Sequence, residues 1–128
     1  MEAVTTLCDT DVMIEYLKGN ENIKKVFDKL EENIVLSAIT LMELLYGALN
    51  KKELTEIKIA LTEFNILNLN DGITEIAINL IEKYSKSHGL KIPDALIAST
   101  AIYYDFVLWT CNTRDFQYIE EIKLFKDQ

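Results

Sequence analysis

Val4-Thr5-Thr6-Leu7-Cys8-Asp9-Thr10-Asp11-Val12-Met13-Ile14 reads as a strand that runs straight into a helix, with two carboxylates at the junction. The β-branched run Val4–Cys8 suits a pleated strand, whereas Val12, Met13, Ile14, Tyr16 and Leu17 give an apolar helix that stops at Gly19. The same order then recurs along the chain. Ile23, Val26, Phe27 and Leu30 fall at helical spacing, Ile34-Val35-Leu36 is a short apolar strand, and Ile39 through Leu49 is an apolar helix carrying Glu43. Leu54, Ile57, Leu61 and Phe64 mark a further amphipathic helix, Ile66–Leu69 a third strand, and Ile73 through Tyr84 a long helix ending near His88-Gly89. Pro93 opens a helix through Tyr104 that is apolar nearly all round, as a helix buried against a sheet must be. Phe106–Trp109 is the fourth strand. A helical turn near Asp115-Phe116 and a last strand around Ile122–Phe125 complete an alternation that points to an α/β fold with a parallel sheet covered on both faces.

Composition narrows the class. The 128 residues include one Pro and four Gly with no linker-like stretch, so a single domain over 1–128 is expected. Hydrophobic residues at 49% and charged residues at 27% exclude a disordered or fibrous chain. No run approaches the roughly 18 uninterrupted apolar residues of a membrane helix, and Met1–Val4 lacks the basic start of a secretory signal, so a soluble, cytoplasmic protein without membrane contact is expected. Cys8 and Cys111 fit reduced thiols rather than a disulfide framework or a zinc site. The net charge of −8 argues against non-specific, charge-driven nucleic-acid binding. It does not exclude a nuclease, because a carboxylate cluster that binds divalent metal supplies several of those charges itself.

Four segments deliver side chains that can act together: Asp9 and Asp11, Glu43, Asp94, and Asn112 with Asp115. Ligands in open parallel sheets lie outside the carboxyl ends of the strands, where the chain turns into helices, and each segment maps to such a place. Oxygen-only donors suit Mg²⁺ or Mn²⁺, which activates water and stabilises charge on a phosphate. The chemistry indicated is phosphodiester hydrolysis. Each acid also has a plain structural role open to it. Asp9 or Asp11 can cap the first helix, Thr40-Leu-Met-Glu43 matches a capping box, Asp94 complements a helix dipole, and Asp115 suits a solvated turn. The only arginine, Arg114, is suited to gripping phosphate or to a surface ion pair. Capping does not predict all four segments in this order.

Together the segments resemble the PIN domain and, within it, the VapC-type toxins of bacterial and archaeal toxin–antitoxin systems. The resemblance rests on Asp9-Thr10-Asp11-Val12-Met13-Ile14 after its strand, Ser37 through Ala48 around Glu43, Pro93-Asp94-Ala95-Leu96-Ile97-Ala98, and Thr110-Cys111-Asn112-Thr113-Arg114-Asp115-Phe116. It implies a three-layer α/β/α sandwich with a central parallel sheet of four to five strands and a Mg²⁺ or Mn²⁺ pocket. It also implies endoribonuclease activity on RNA, often transfer or ribosomal RNA, a cognate antitoxin that covers the site, and a homodimer, for which the Leu41-Leu44-Leu45-Leu49 face is a candidate unless those residues are core. Asp9, Glu43 and Asp94 take the three invariant acidic roles. Asp9 and Asp94 are then the principal metal ligands, Glu43 a ligand or the group that orients water, and Asp115 an outer ligand assisted by Asn112. Asp11 stands where the family commonly has Asn. It and Arg114 are candidate substrate contacts. Two rival readings remain at this stage: a PIN-like binding module that does not cut, and a haloacid-dehalogenase-like phosphatase using the Asp9-Thr10-Asp11-Val12 run as its nucleophile motif.

Overall fold

The computed structural model describes residues 4–30 and 32–126. Among these residues four short strands, β1 (Thr6–Cys8), β2 (Ile34–Ser37), β3 (Asn65–Leu67) and β4 (Val107–Trp109), form one parallel sheet in the order β3-β2-β1-β4. Their side chains alternate between two apolar layers, as the two-residue period of a strand requires. Leu7, Val35 and Leu108 face one core, shared with α5 (Asp71–His88) and α6 (Ile92–Tyr104). Cys8, Ile34, Leu36 and Trp109 face the other, shared with α1 (Thr10–Leu17), α2 (Glu21–Leu30) and α3 (Ala38–Tyr46). The result is the expected helix–sheet–helix sandwich.

The sheet order positions the site. From β1 the chain moves outward to β2 and β3, then returns across the sheet to place β4 on the other side of β1. The connections after β1 and β4 therefore leave in opposite directions and open a crevice between them, at the carboxyl edge of the sheet. Asp9 follows β1 and Thr110–Asp115 follows β4, so both line that crevice.

Element ends follow local chemistry. Asn70 and Asn50 cap α5 and α4 (Lys51–Ala60) with side-chain oxygens that accept from Ile73 N and Glu53 N at 2.9 Å each. Gly89 closes α5 at φ 71°, a left-handed position where glycine meets no Cβ penalty.

The structure departs from the sequence reading at several element ends, and it settles the alternatives left open for α3. The last expected strand, Ile122–Phe125, is reduced to one bridge between Leu108 and Leu124, because its backbone bonds reach only Leu108 before the chain leaves the sheet. Helix α3 stops at Tyr46 rather than Leu49, with Gly47 donating back to Glu43 O. The Thr40–Glu43 capping box does not form. Ser37, one turn earlier, caps α3 by accepting from Ile39 N, which places Thr40 and Glu43 inside the helix. The Leu41-Leu44-Leu45-Leu49 face is not one exposed stripe: Leu44 is buried, Leu41 packs against the same core and Leu45 is half-buried, while Leu49 is 85% exposed.

Candidate active site

Asp9 follows β1 directly and caps α1, so its position is fixed by the passage from strand to helix. Its Oδ1 accepts from Thr10 N at 2.8 Å and its Oδ2 from the Thr110 hydroxyl at 2.9 Å, across 101 positions of sequence. The Asn112 amide donates in turn to Thr110 Oγ1 at 3.1 Å. Asp9 is only 7% exposed, and burial together with the neighbouring charge of Asp11 pushes its carboxyl up to about 7, against the pull of the two hydrogen bonds.

Glu43 stands in the second turn of α3, exposed, with Oε1 accepting from the Thr10 hydroxyl at 2.7 Å. The same hydroxyl lies 3.1 Å from that of Thr40, which is fully buried. Thr10 thus ties α1 to α3 at the residue next to Asp9. Asp94, in the first turn of α6, is half-buried, and its carboxyl is held above the usual range by desolvation, then by Asp115 and Glu43, with Lys91 opposing. Asp115 ends a 3-10 turn (Thr113–Asp115), where the Asn112 side-chain amide donates to its Oδ2 at 2.9 Å. Asn112 and Asp115 are therefore joined on one turn.

Asp11 is committed to the loop after β4: its Oδ1 accepts from Cys111 N at 3.2 Å and its Oδ2 lies 3.3 Å from Thr110 Oγ1. Cys111 is exposed, and burial of its thiol with Asp11 beside it pushes its pKa up to about 11. Cys8 is buried and also raised. Both shifts favour the protonated thiol at neutral pH. Arg114 is exposed on the same turn as Asp115 and lines a notch beside Asp94.

Asp9, Asp11, Glu43, Asp94 and Asp115 thus share one electrostatic neighbourhood, built from four separate segments of the chain. Desolvation is the first cause of both raised carboxyls, and repulsion within the acidic group adds to it, from Asp11 on Asp9 and from Asp115 and Glu43 on Asp94. No base forms an ion pair with these acids among the described residues. Such unpaired, mutually repelling carboxylates fit a divalent cation by the chemistry of the donor set. No three of the His, Cys, Asp or Glu side chains among the described residues are already arranged around one ion. A hard cation that keeps several waters needs only one or two protein carboxylates.

Sequence reading missed three residues: Thr10, Thr40 and Thr110. All three lie inside the quoted segments, but a hydroxyl beside an acid reads as a cap or a strand residue until the fold shows what it reaches.

A family model described as PIN domain matches residues 6–122. Ribonuclease VapC1 of Methanocaldococcus jannaschii is 32% identical over 122 residues, covering 92% of this chain and 83% of the relative. A toxin-antitoxin complex from Klebsiella pneumoniae contains a chain that superposes with a TM-score of 0.79 at 32% identity, covering 92% of this chain and 95% of that one. VapBC2 from Rickettsia felis, bound to a DNA fragment from its promoter, superposes with a TM-score of 0.83 at 26% identity, covering 95% and 98%.

Proposed function

The chain belongs to the PIN domain family, and from that premise we propose that it is a metal-dependent endoribonuclease, the toxin half of a VapBC-type toxin–antitoxin pair. The observation that carries this reading is the convergence of Asp9, Glu43, Asp94 and Asp115 on the carboxyl edge of the sheet, with no base paired to them among the described residues. The phosphatase reading falls with the family assignment.

Asp9 and Asp94 would hold Mg²⁺ or Mn²⁺, with Asp115 as an outer ligand kept in place by Asn112. When bound, such a cation activates water and neutralises charge developing on a phosphate. Glu43 is either a further ligand or the group that orients the attacking water. Its Oε1 is fixed by Thr10, which leaves the other oxygen for that work. Thr110 keeps the Asp9 carboxylate aimed by donating to Oδ2 while its own oxygen accepts from Asn112 N. In the reaction the water oxygen adds to phosphorus, the bond from phosphorus to the 3′ oxygen breaks, and that oxygen takes a proton. The products are a 3′-hydroxyl and a 5′-phosphate. No 2′-hydroxyl attack is required.

An RNA substrate, transfer or ribosomal, places the protein in the cytoplasm. No helix among the described residues is long and apolar enough to cross a membrane. For the antitoxin, a cleft of about 580 Å³ between α1, α3 and α4 offers Ile14, Leu17, Leu44 and Ile57 and reaches Glu43. A partner segment seated there would lie against the acidic site. For a homodimer, Met42, Tyr46 (94% exposed) and Leu49 are the unpartnered apolar side chains at the end of α3.

Metal titration followed by thermal melting tests the site. A ligand that binds only the folded state raises stability. The melting temperature of the wild type should rise with Mn²⁺ or Mg²⁺, and that of Asp94→Asn should rise much less. Absence of any shift in the wild type at millimolar metal would favour a PIN-like module that does not cut. Expression without the neighbouring antitoxin should be toxic, and co-expression should relieve it.

A further inference from the structure

The chain has one arginine and one histidine, and both line the same notch. This recess of about 110 Å³ lies against Asp94 and Asp115 and is walled by His88, Lys91, Arg114 and Tyr118. Two separate pieces of chain bring them together: the short connection from the end of α5 to the start of α6, which carries His88 and Lys91, and the turn after β4, which carries Arg114. The His88 ring is not loose. It stacks on Tyr118 at 4.2 Å and 8°, Tyr84 packs edge-on to both, and Ser87 Oγ lies 2.8 Å from Nδ1.

In a chain of net charge −8, a polyanion approaching five clustered carboxylates needs a local cationic contact to seat it. Lys91 and Arg114 supply it immediately beside the acids, and a guanidinium fork suits paired phosphate oxygens. At about 110 Å³ the recess has room for a group of phosphate size.

We propose that this notch binds a non-scissile phosphate of the RNA strand, next to the one being cut, and so sets which linkage enters the acidic pocket. The proposal rests on the endoribonuclease reading. Lys91 and Arg114 supply charge, and His88 and Tyr118 supply fixed polar atoms and a rigid wall.

The test compares wild type with Lys91→Gln, Arg114→Gln and Arg114→Lys, and with Lys24→Gln on α2 as a remote exposed control. Two quantities are read: KM and kcat for metal-dependent RNA cleavage, and the salt dependence of binding to a fluorescein-labelled random-sequence RNA oligomer. Each Gln variant should raise KM about tenfold with kcat little changed. Each should also flatten the plot of log affinity against log salt by about 0.7, the value of one lost contact on a single strand. Arg114→Lys should keep the slope, and Lys24→Gln should match wild type in everything. If wild type cuts while both Gln variants share its KM and slope, the notch is not a phosphate site and the nuclease reading stands. If wild type neither binds nor cuts RNA, the nuclease reading fails and the notch assignment with it.

Discussion

Thr110 shows how much of the site rests on side chains that carry no charge. Its hydroxyl donates to Asp9 Oδ2 and accepts from Asn112 N, so it joins the principal acid to the loop that carries Asp115. Removing a hydrogen bond to a charged group costs about 1.5–3 kcal/mol. Thr110→Val should therefore lower kcat/KM by about ten- to a hundredfold, and Thr110→Ser should restore most of it. Asp9 also makes a prediction about pH. Its carboxyl is pushed up to about 7 by burial and by Asp11, well above the roughly 3.9 of an unfolded chain. Between those values the folded state holds a proton that the unfolded state has lost. Stability of the metal-free protein should then fall as pH rises from about 4 to about 7. Asp94, raised for similar reasons, acts in the same direction. Melting curves in EDTA should show a higher Tm near pH 5 than near pH 7.5, and saturating Mn²⁺ should reduce the difference.

At the scale of elements, the turn Thr113–Asp115 is anchored by the residue that follows it. Phe116 is 1% exposed and lies in the core under α5 and α6. Phe116→Ala should destabilise the fold by about 3–5 kcal/mol in urea unfolding and loosen Asp115. Asn70→Ala should remove the α5 cap at a cost of about 1 kcal/mol. The same scale shows what could be read in advance. Strand–Asp9–helix was legible because the hydrophobic period switches within a few residues and the acid sits at the switch, and Pro93-Asp94 because proline marks the first turn of a helix. The Thr40–Glu43 capping box matched a local pattern, yet Ser37 begins the helix a turn earlier, and local spacing does not choose between two possible starts. The last strand has suitable residues, but its pairing depends on how far it follows β4, which no short window contains. The bonds from Thr10 to Glu43 and from Thr110 to Asp9 span 33 and 101 positions and arise only once the sheet order is known.

For the whole molecule, the order β3-β2-β1-β4 opens the crevice between β1 and β4, and the five acids gathered there repel one another unless a cation is present. That arrangement spends fold stability on a site, as the raised carboxyls record. It also makes the chain's overall negative charge compatible with RNA chemistry, since the ion reverses the local sign where phosphate sits. RNA cleavage in this crevice is directly measurable. Purified protein incubated with total RNA and Mg²⁺ or Mn²⁺, beside an EDTA-treated sample and Asp94→Asn, tests it most directly, with end-group analysis of the fragments. The expected result is metal-dependent cleavage that both controls abolish, leaving 5′-phosphates and 3′-hydroxyls. Cleavage that persists in EDTA or in Asp94→Asn, or fragments ending in 2′,3′-cyclic phosphate, would contradict it.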